Sequence, residues 1–307
     1  MKLYPRIIAK RKKEKRYVKD SFDLFASRSV DIKSCQSVCL TLGPYRNLTT
    51  LTGAVLSLHS DCQVLNHGGS RIFGRRQVDF LSSFNPERFD RFVQYALHIS
   101  TGGQRGSRGG SITYSHAFDA QHAGADALAA SSKQSPRGDA RCLFWKEPLR
   151  TSNLIRDKNV DVSHILDVDG RLRFLLPIRN PLDCAVSNIM TGHTKLFRGL
   201  SQDAAVEDVL DAVLDEILWF FELAEGHPER FFHYFEHGIS RSMLIELAAF
   251  LEIEPTEEWL RGALDAMQVN EGYTHPPKLS KYFCAAVESR FKQYPDLTAS
   301  LLCFLDA

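Results

Sequence analysis

The chain has 307 residues, of which 44% are hydrophobic and 24% are charged, a composition typical of a soluble globular protein. Its net charge of +1 argues against a uniformly basic nucleic-acid-binding protein, so no nucleic-acid partner is expected. Because the sequence has no apolar run of transmembrane length, no apolar N-terminal signal and no CxxC spacing among its seven cysteines, we expect a cytoplasmic protein without a transmembrane segment.

The N-terminus is strongly basic. Residues 1–20 contain nine Lys or Arg and two acidic residues, so the remaining chain carries a compensating net negative charge. We predict that residues 1–30 form a solvated basic arm and that residues 31–307 form a single domain. A segment of this charge also attracts anions, and it is suited to peripheral contact with a membrane surface.

Short apolar runs alternate with amphipathic segments along the rest of the chain. This alternation predicts an α/β fold in which helices flank a parallel β-sheet, with a helical C-terminal part. The predicted strands are 37–43, 62–65, 142–145, 173–178 and 231–235. The predicted helices are one that begins near Thr49 and those at 84–99, 204–225, 241–251, 256–267, 279–294 and 297–305.

Two segments have the composition of flexible loops. Residues 101–111 and 123–141 are rich in Gly, Ser, Ala and Arg. The region 69–141 that contains them is predicted to be variable and loop-rich. Several arginines of this region are suited to binding an anionic or sugar-like ligand, namely Arg71, Arg75, Arg76, Arg105 and Arg108.

The turn after the first predicted strand has the chemistry of an anion site. Its sequence is Leu42-Gly43-Pro44-Tyr45-Arg46-Asn47-Leu48-Thr49-Thr50-Leu51. A helix N-terminus offers unpaired N–H groups, Arg46 adds a cation, and Thr49 and Thr50 add hydroxyl donors. The turn is not a Walker A loop, since GxxxxGK[ST] is absent.

A second turn of this kind follows the strand at 173–178. Its sequence is Arg179-Asn180-Pro181-Leu182-Asp183-Cys184-Ala185-Val186-Ser187. Asn180 is a good N-cap and Pro181 a good first helical residue, so a helix begins here. Arg179 at the strand end and Ser187 two turns along that helix are placed to bind one anion from two sides.

Both turns resemble motifs of the PAPS-dependent sulfotransferases. Residues 46–51 are similar to the family's 5′-phosphosulfate loop, R/K-S-G-T-T-L/W, with Asn47-Leu48 where Ser-Gly is usual. Residues 179–187 are similar to the 3′-phosphate motif, R-D/N-P-x-D-x-x-x-S. Residues 231–253 and Lys146-Glu147-Pro148 resemble the family's late strand with its helix and its strand-end lysine motif, so the resemblance spans roughly residues 37–253.

The resemblance implies a P-loop-NTPase-like sulfotransferase fold and a sulfuryl transfer by in-line displacement. The group would pass from PAPS to a hydroxyl or amine of a carbohydrate or other small acceptor, with release of PAP and no metal. Lys146 would reach the sulfuryl group, and the region 69–141 would form the acceptor site. The implied cofactor-binding residues are Arg46, Asn47, Leu48, Thr49, Thr50, Leu51, Arg179 and Ser187.

The general base has three candidates. His67 stands near the position at which glycosaminoglycan-type relatives carry a Glu, and a histidine titrates near neutral pH. Glu147 and His116 are the alternatives, whereas the implied catalytic residues are His67, Lys146 and Arg46. Two other functions remain open from the sequence, a P-loop-like nucleotide-dependent kinase and a PAP(S)-binding member that has lost catalysis. The sequence does not indicate the oligomeric state.

Overall fold

The computed structural model describes residues 18–103, 108–119, 124–131, 139–267 and 272–305. Its strands form a six-stranded sheet. The strand order is β3-β2-β4-β1-β5-β6. Five strands are parallel, and the short β3 pairs antiparallel with β2 at one edge. The strands are β1 Ser37–Thr41, β2 Cys62–Asn66, β3 Gly110–Ser111, β4 Cys142–Lys146, β5 Leu172–Ile178 and β6 Phe231–Phe235.

Helices cover both faces of this sheet and make up the C-terminal part. The predicted fold class, a mostly parallel α/β sheet flanked by helices, is therefore confirmed. The helices are α1 at residues 18–26, α2 Thr49–Leu56, α3 Gly69–Ile72, α4 Pro86–Ser100, α5 Ala125–Ser131, α6 Pro148–Asp157, α7 Val162–Val168, α8 Pro181–Met190, α9 Val206–Ala224, α10 Arg241–Phe250, α11 Glu257–Ala266, α12 Pro277–Arg290 and α13 Pro295–Leu302.

The central strands are apolar along their whole length because both of their faces are covered. In β1, Val38 and Leu40 belong to one apolar cluster, and Cys39 between them belongs to the cluster on the opposite face. All five residues of β1 and all seven of β5 are buried. Full burial of one large aliphatic side chain stabilises the fold by about 1.5–3 kcal/mol, so these strands anchor the sheet.

The path of the chain places a crevice at the carboxyl end of β1. β1 lies between β4 and β5; the chain passes from β1 to β2 on one side of it, and from β4 across to β5 on the other side. In doubly wound sheets, ligands bind at such a switch point, beyond the carboxyl ends of the strands. The turns after β1, β2, β4 and β5 therefore share one edge of the sheet.

Three sequence predictions need correction. Part of the segment 123–141 forms helix α5, and the end of the Gly-rich segment 101–111 pairs as strand β3, so neither stretch is entirely a loop. The predicted basic arm is helical at 18–26, where Asp20 is buried, so this part is not a frayed tail. Residues 1–17 of the arm lie outside the described residues. Among the described helices, none is both long and apolar enough to cross a membrane.

Candidate active site

The turn after β1 is a tightly wound loop that leads directly into α2. Arg46 and Leu48 have positive φ angles of 63° and 60°, a left-handed conformation that is uncommon for residues other than glycine. Left-handed residues at alternating positions turn backbone N–H groups toward a common point. Helix α2 begins after Leu48 without a side-chain cap, so its first N–H groups remain available to an anion.

Gly43 at the start of this loop is required by close packing. Its φ is 91°, and a Cβ atom here would lie 2.4 Å from Cδ1 of Leu176 in β5. Its N–H donates to the Ser152 hydroxyl of α6 over 3.0 Å. A residue with a Cβ atom would be strained by the positive φ and would displace the end of the Leu176 side chain.

The loop after β1 and the loop after β5 are joined by side chains. Arg46 Nε donates to the Ser187 hydroxyl over 2.9 Å, and the N–H of Arg179 donates to Asn47 Oδ1 over 2.8 Å. The Asn47 amide also donates to the carbonyl of Pro177. Asn47 is buried, so its side chain connects the two loops rather than facing a ligand.

The second loop follows its sequence signals closely. Asn180 caps helix α8 by accepting from the N–H of Leu182 over 3.0 Å, and Pro181 is the first helical residue. Ser187 lies two turns further along the helix, on the side that faces Arg46. The Asn188 amide donates to the carbonyl of Tyr45 over 2.8 Å, which fixes α8 against the first loop.

Carboxylates surround Arg179 on one side. Arg179 contacts Asp183 at 3.3 Å and Glu236 at 3.8 Å, and its buried Nε atom has no hydrogen-bond partner. Asp183 in turn accepts from the ring of His275 over 2.7 Å and from the N–H of Tyr273 over 3.0 Å. The segment that begins at residue 272 therefore closes over the second loop, and the Arg179 guanidinium lies 6.0 Å from the centre of the Tyr273 ring.

Three cations converge at this edge of the sheet. Burial, followed by the nearby positive charge of Arg179, lowers the pKa of Arg46. Burial also lowers the pKa of Lys146 to about 8, an effect that Glu147 opposes and Arg46 reinforces. Since these positive charges repel one another, an anion placed among them is favoured by each of them.

Glu147 is a buried carboxylate at the centre of the site. Its Oε1 accepts from the Tyr45 hydroxyl over 2.8 Å, and its Oε2 accepts from the N–H of Gly69 over 2.9 Å. The ring of His67 lies against Oε1, with Nδ1 at 3.4 Å. Burial raises the pKa of Glu147, but the contacts with His67, Gly69 and Tyr45 outweigh burial and hold it below its ordinary value. Glu147 is therefore ionised at neutral pH.

His67 lies between this carboxylate and Lys146. Its Nε2 is 3.2 Å from Lys146 Nζ, and its carbonyl accepts from the indole of Trp145 over 2.7 Å. His67 itself has a φ of 60°, so strand β2 ends in a sharp turn that projects the ring into the crevice. With Glu147 accepting from Nδ1–H, Nε2 carries the lone pair that accepts from the Lys146 ammonium.

Most of the site residues predicted from sequence lie around this one crevice. Arg46 and Arg179 come from the two joined loops, Ser187 from helix α8, and Lys146 and His67 from the ends of β4 and β2. Thr49 and Thr50 lie in the first turn of α2. Leu51 belongs to the apolar cluster beneath that helix, and Leu48 packs against it. His116 is exposed on the short helix His116–Phe118.

The structure adds residues that the sequence did not indicate. Tyr45 orders Glu147, and the ring of His193 packs 5.3 Å from the ring of Tyr45. Burial, with the positive charges of Arg46 and Lys146 next in effect, lowers the pKa of His193, so this imidazole is neutral near pH 7. A polar residue six positions after Ser187 carries no motif by itself, and only the fold brings it here.

The arginines expected to bind the acceptor are largely paired within the chain. Arg71 lies 3.2 Å and Arg75 2.7 Å from the Asp20 carboxylate of α1, and Arg108 pairs with the same carboxylate. These three arginines therefore hold helix α1 on the domain, an intramolecular role that the sequence did not predict, and binding of the acceptor by this region stays a prediction. Arg76 is exposed, and Arg105 lies outside the described residues.

The solved structures that resemble this chain include two sulfotransferases. The crystal structure of mouse sulfotransferase SULT7A1 in complex with PAP shares 11% sequence identity and has a TM-score of 0.43, covering 94% of this chain and 93% of its own. Sulfotransferase STF9 from Mycobacterium avium shares 14% identity with a TM-score of 0.44, covering 92% and 80% of the two chains. No protein-family model and no curated protein matches the sequence.

Proposed function

We propose that this protein is a sulfotransferase that transfers a sulfuryl group from PAPS to a hydroxyl or amine of a carbohydrate or other small acceptor, releasing PAP. One observation carries the proposal. The bond from Arg46 Nε to the Ser187 hydroxyl joins two anion-binding turns beside Lys146 and His67. A nucleotide with phosphates at both its 3′ and 5′ positions needs two anion sites held at a fixed distance.

The residues present fit such a ligand. Arg46 is bonded to a neutral hydroxyl rather than to a carboxylate, so its charge is available to a 5′-phosphate together with the N–H groups of α2, Thr49 and Thr50. Arg179 directly follows β5, in the loop that is joined to Arg46 and Ser187, and its contacts with Asp183 and Glu236 hold the guanidinium at the position where a 3′-phosphate would bind.

The chemistry needs a proton acceptor and a cation near the transferred group, and the site supplies both. PAPS provides a sulfuryl group bonded to a phosphate oxygen. His67 Nε2 takes the proton of the acceptor hydroxyl as the new S–O bond forms, and Glu147 stabilises the resulting imidazolium through Nδ1. Lys146 turns from Nε2 toward the bridging oxygen, where the negative charge develops as the old S–O bond breaks. His67 is thus the base, and Glu147 is a positioning residue.

Calorimetry with PAP and with adenosine 5′-phosphate tests this assignment. We expect the wild-type protein to bind PAP in the micromolar range, and the Arg179→Ala variant to lose at least about tenfold in affinity for PAP, a loss of one charged hydrogen bond. The same variant should bind adenosine 5′-phosphate as the wild type does, since that ligand lacks the 3′-phosphate. Arg76→Ala, on an exposed arginine, is the matched control.

Two binding results would contradict the proposal, and a transfer assay tests catalysis. Absence of PAP binding at micromolar concentrations would overturn it, and turnover of ATP with magnesium in its place would support a kinase. PAP binding that Arg179→Ala leaves unchanged would refute the 3′-site. Transfer from labelled PAPS to an acceptor panel separates an enzyme from a member that only binds the nucleotide, and His67→Ala should abolish that transfer while retaining PAP binding.

A further inference from the structure

Helix α1 exposes an apolar stripe to solvent. Val18, Phe22 and Phe25 are 67%, 69% and 69% exposed, among the highest values for large apolar side chains in the described residues. Their spacing of four and three residues places them on one face of the helix. Two phenylalanines side by side on a surface helix favour contact with an apolar partner.

The opposite face of α1 is fixed to the domain by ion pairs. Asp20 is only 3% exposed and binds Arg71 and Arg75 at 3.2 Å and 2.7 Å, and Asp23 binds Arg71 as well. Ser27, just after α1, is fully buried. The helix therefore cannot turn its apolar stripe inward without exposing a buried network of charges.

A strongly basic segment leads directly into this stripe. Residues 1–17 contain eight Lys or Arg and a single Glu, and six of the basic residues fall within residues 10–16. Arg28 adds a guanidinium 5.7 Å from the centre of the Phe25 ring. A surface that pairs positive charge with exposed aromatic rings matches a lipid membrane, which has anionic headgroups above an apolar interior. A soluble polyanion would use the charges and leave the phenylalanines exposed.

We propose that the exposed face of helix α1 docks this protein on an anionic lipid membrane, and that the basic sequence preceding it supplies the electrostatic attraction. Phe22 and Phe25 enter the boundary between headgroups and acyl chains, and the lysines and arginines bind lipid headgroups. Because α1 is already helical and already fixed through Asp20, docking requires no folding of the helix.

Co-sedimentation of the full chain with vesicles tests the proposal. We expect binding to vesicles of phosphatidylcholine mixed with phosphatidylserine, and little binding to phosphatidylcholine alone. The double substitution Phe22→Ser and Phe25→Ser should lower the partition coefficient by about tenfold or more, and so should Lys12→Gln with Lys13→Gln. Ile245→Ser, at an exposed apolar residue of α10, is the matched control and should bind as the wild type does.

Tryptophan fluorescence supplies a second measurement, which detects entry into the membrane directly and does not require a variant that loses binding. A Phe22→Trp variant should shift its emission to shorter wavelength when phosphatidylserine vesicles are added, as the indole enters an apolar environment. An unshifted emission with bound protein, or a Phe22→Ser, Phe25→Ser variant that sediments like the wild type, would overturn the proposal. Binding of RNA or heparin that outcompetes the vesicles and ignores both phenylalanines would assign the segment to a soluble polyanion instead.

Discussion

Replacing Glu147 by Gln tests the central charge of the proposed site. The substitution retains the shape of the side chain and an oxygen that accepts from Tyr45 or Gly69, but it removes the negative charge beside His67. It also removes the charge that raises the pKa of Lys146, so this lysine becomes less protonated at neutral pH. The first change acts on the transition state, and the second also weakens binding of the anionic nucleotide.

The expected size of the effect follows from one distance. Charges separated by the 3.4 Å between Glu147 Oε1 and His67 Nδ1 attract each other by about 5 kcal/mol at an effective dielectric constant of about 20. The amide of Gln retains part of this attraction as a dipole, so we expect about half to be lost. A loss of about 2.5 kcal/mol lowers kcat by about 70-fold.

The assay is transfer of labelled sulfate from PAPS, with calorimetry of PAP binding on the same preparations. Tyr45→Phe is the matched control, because it removes a 2.8 Å hydrogen bond to the same carboxylate and leaves the charge in place. We expect this control to cost about 1 kcal/mol of stability and little kcat. A folded Glu147→Gln variant with nearly wild-type kcat would refute the reasoning, and equal losses in both variants would assign Glu147 a purely structural role.

Two further predictions concern the ion pairs that hold helix α1 on the domain and the protonation of Lys146. Asp20→Asn should lower the free energy of unfolding by about 3 kcal/mol, since it leaves three arginines beside a neutral amide, whereas Asp157→Asn in an exposed pair should cost at most about 0.5 kcal/mol. Thermal unfolding measures the loss of stability in both variants. Equal losses would contradict the claim that Asp20 is part of a buried ion-pair network. Because the pKa of Lys146 is about 8, PAP affinity should fall as pH rises through 8, when the lysine loses its proton. In a Lys146→Arg variant this fall should disappear, and a fall that persists there would place the titrating group elsewhere.

The parts of the fold that the sequence predicted are those that depend on local pattern. Runs of apolar residues define β1 and β5 because parallel strands are buried on both faces. The turn after β5 could also be predicted from local sequence, because Asn180 and Pro181 begin a helix through their own backbone preferences. These signals involve residues that are close in the chain.

The parts that escaped prediction depend on partners far apart in the chain. Arg71, Arg75 and Arg108 looked like ligand-binding cations because nothing nearby neutralises them, yet their partner Asp20 lies 51, 55 and 88 residues earlier. Glu147 could be named as a candidate base, but its role in holding His67 follows from burial and from Tyr45, 102 residues away. Only the folded chain shows that Glu147 is buried, whereas the ring of His67 is partly exposed.

The Gly-rich strand beside His67 sets a boundary for any attempt to redesign this protein. A Cβ atom on Gly109, whose φ is 74°, would lie 2.5 Å from the backbone nitrogen of Gly68, directly next to His67. Gly102, by contrast, has open space around it. A combinatorial library of this segment can therefore vary position 102 freely. It must leave position 109 unchanged, because a side chain there would displace the turn that carries the imidazole.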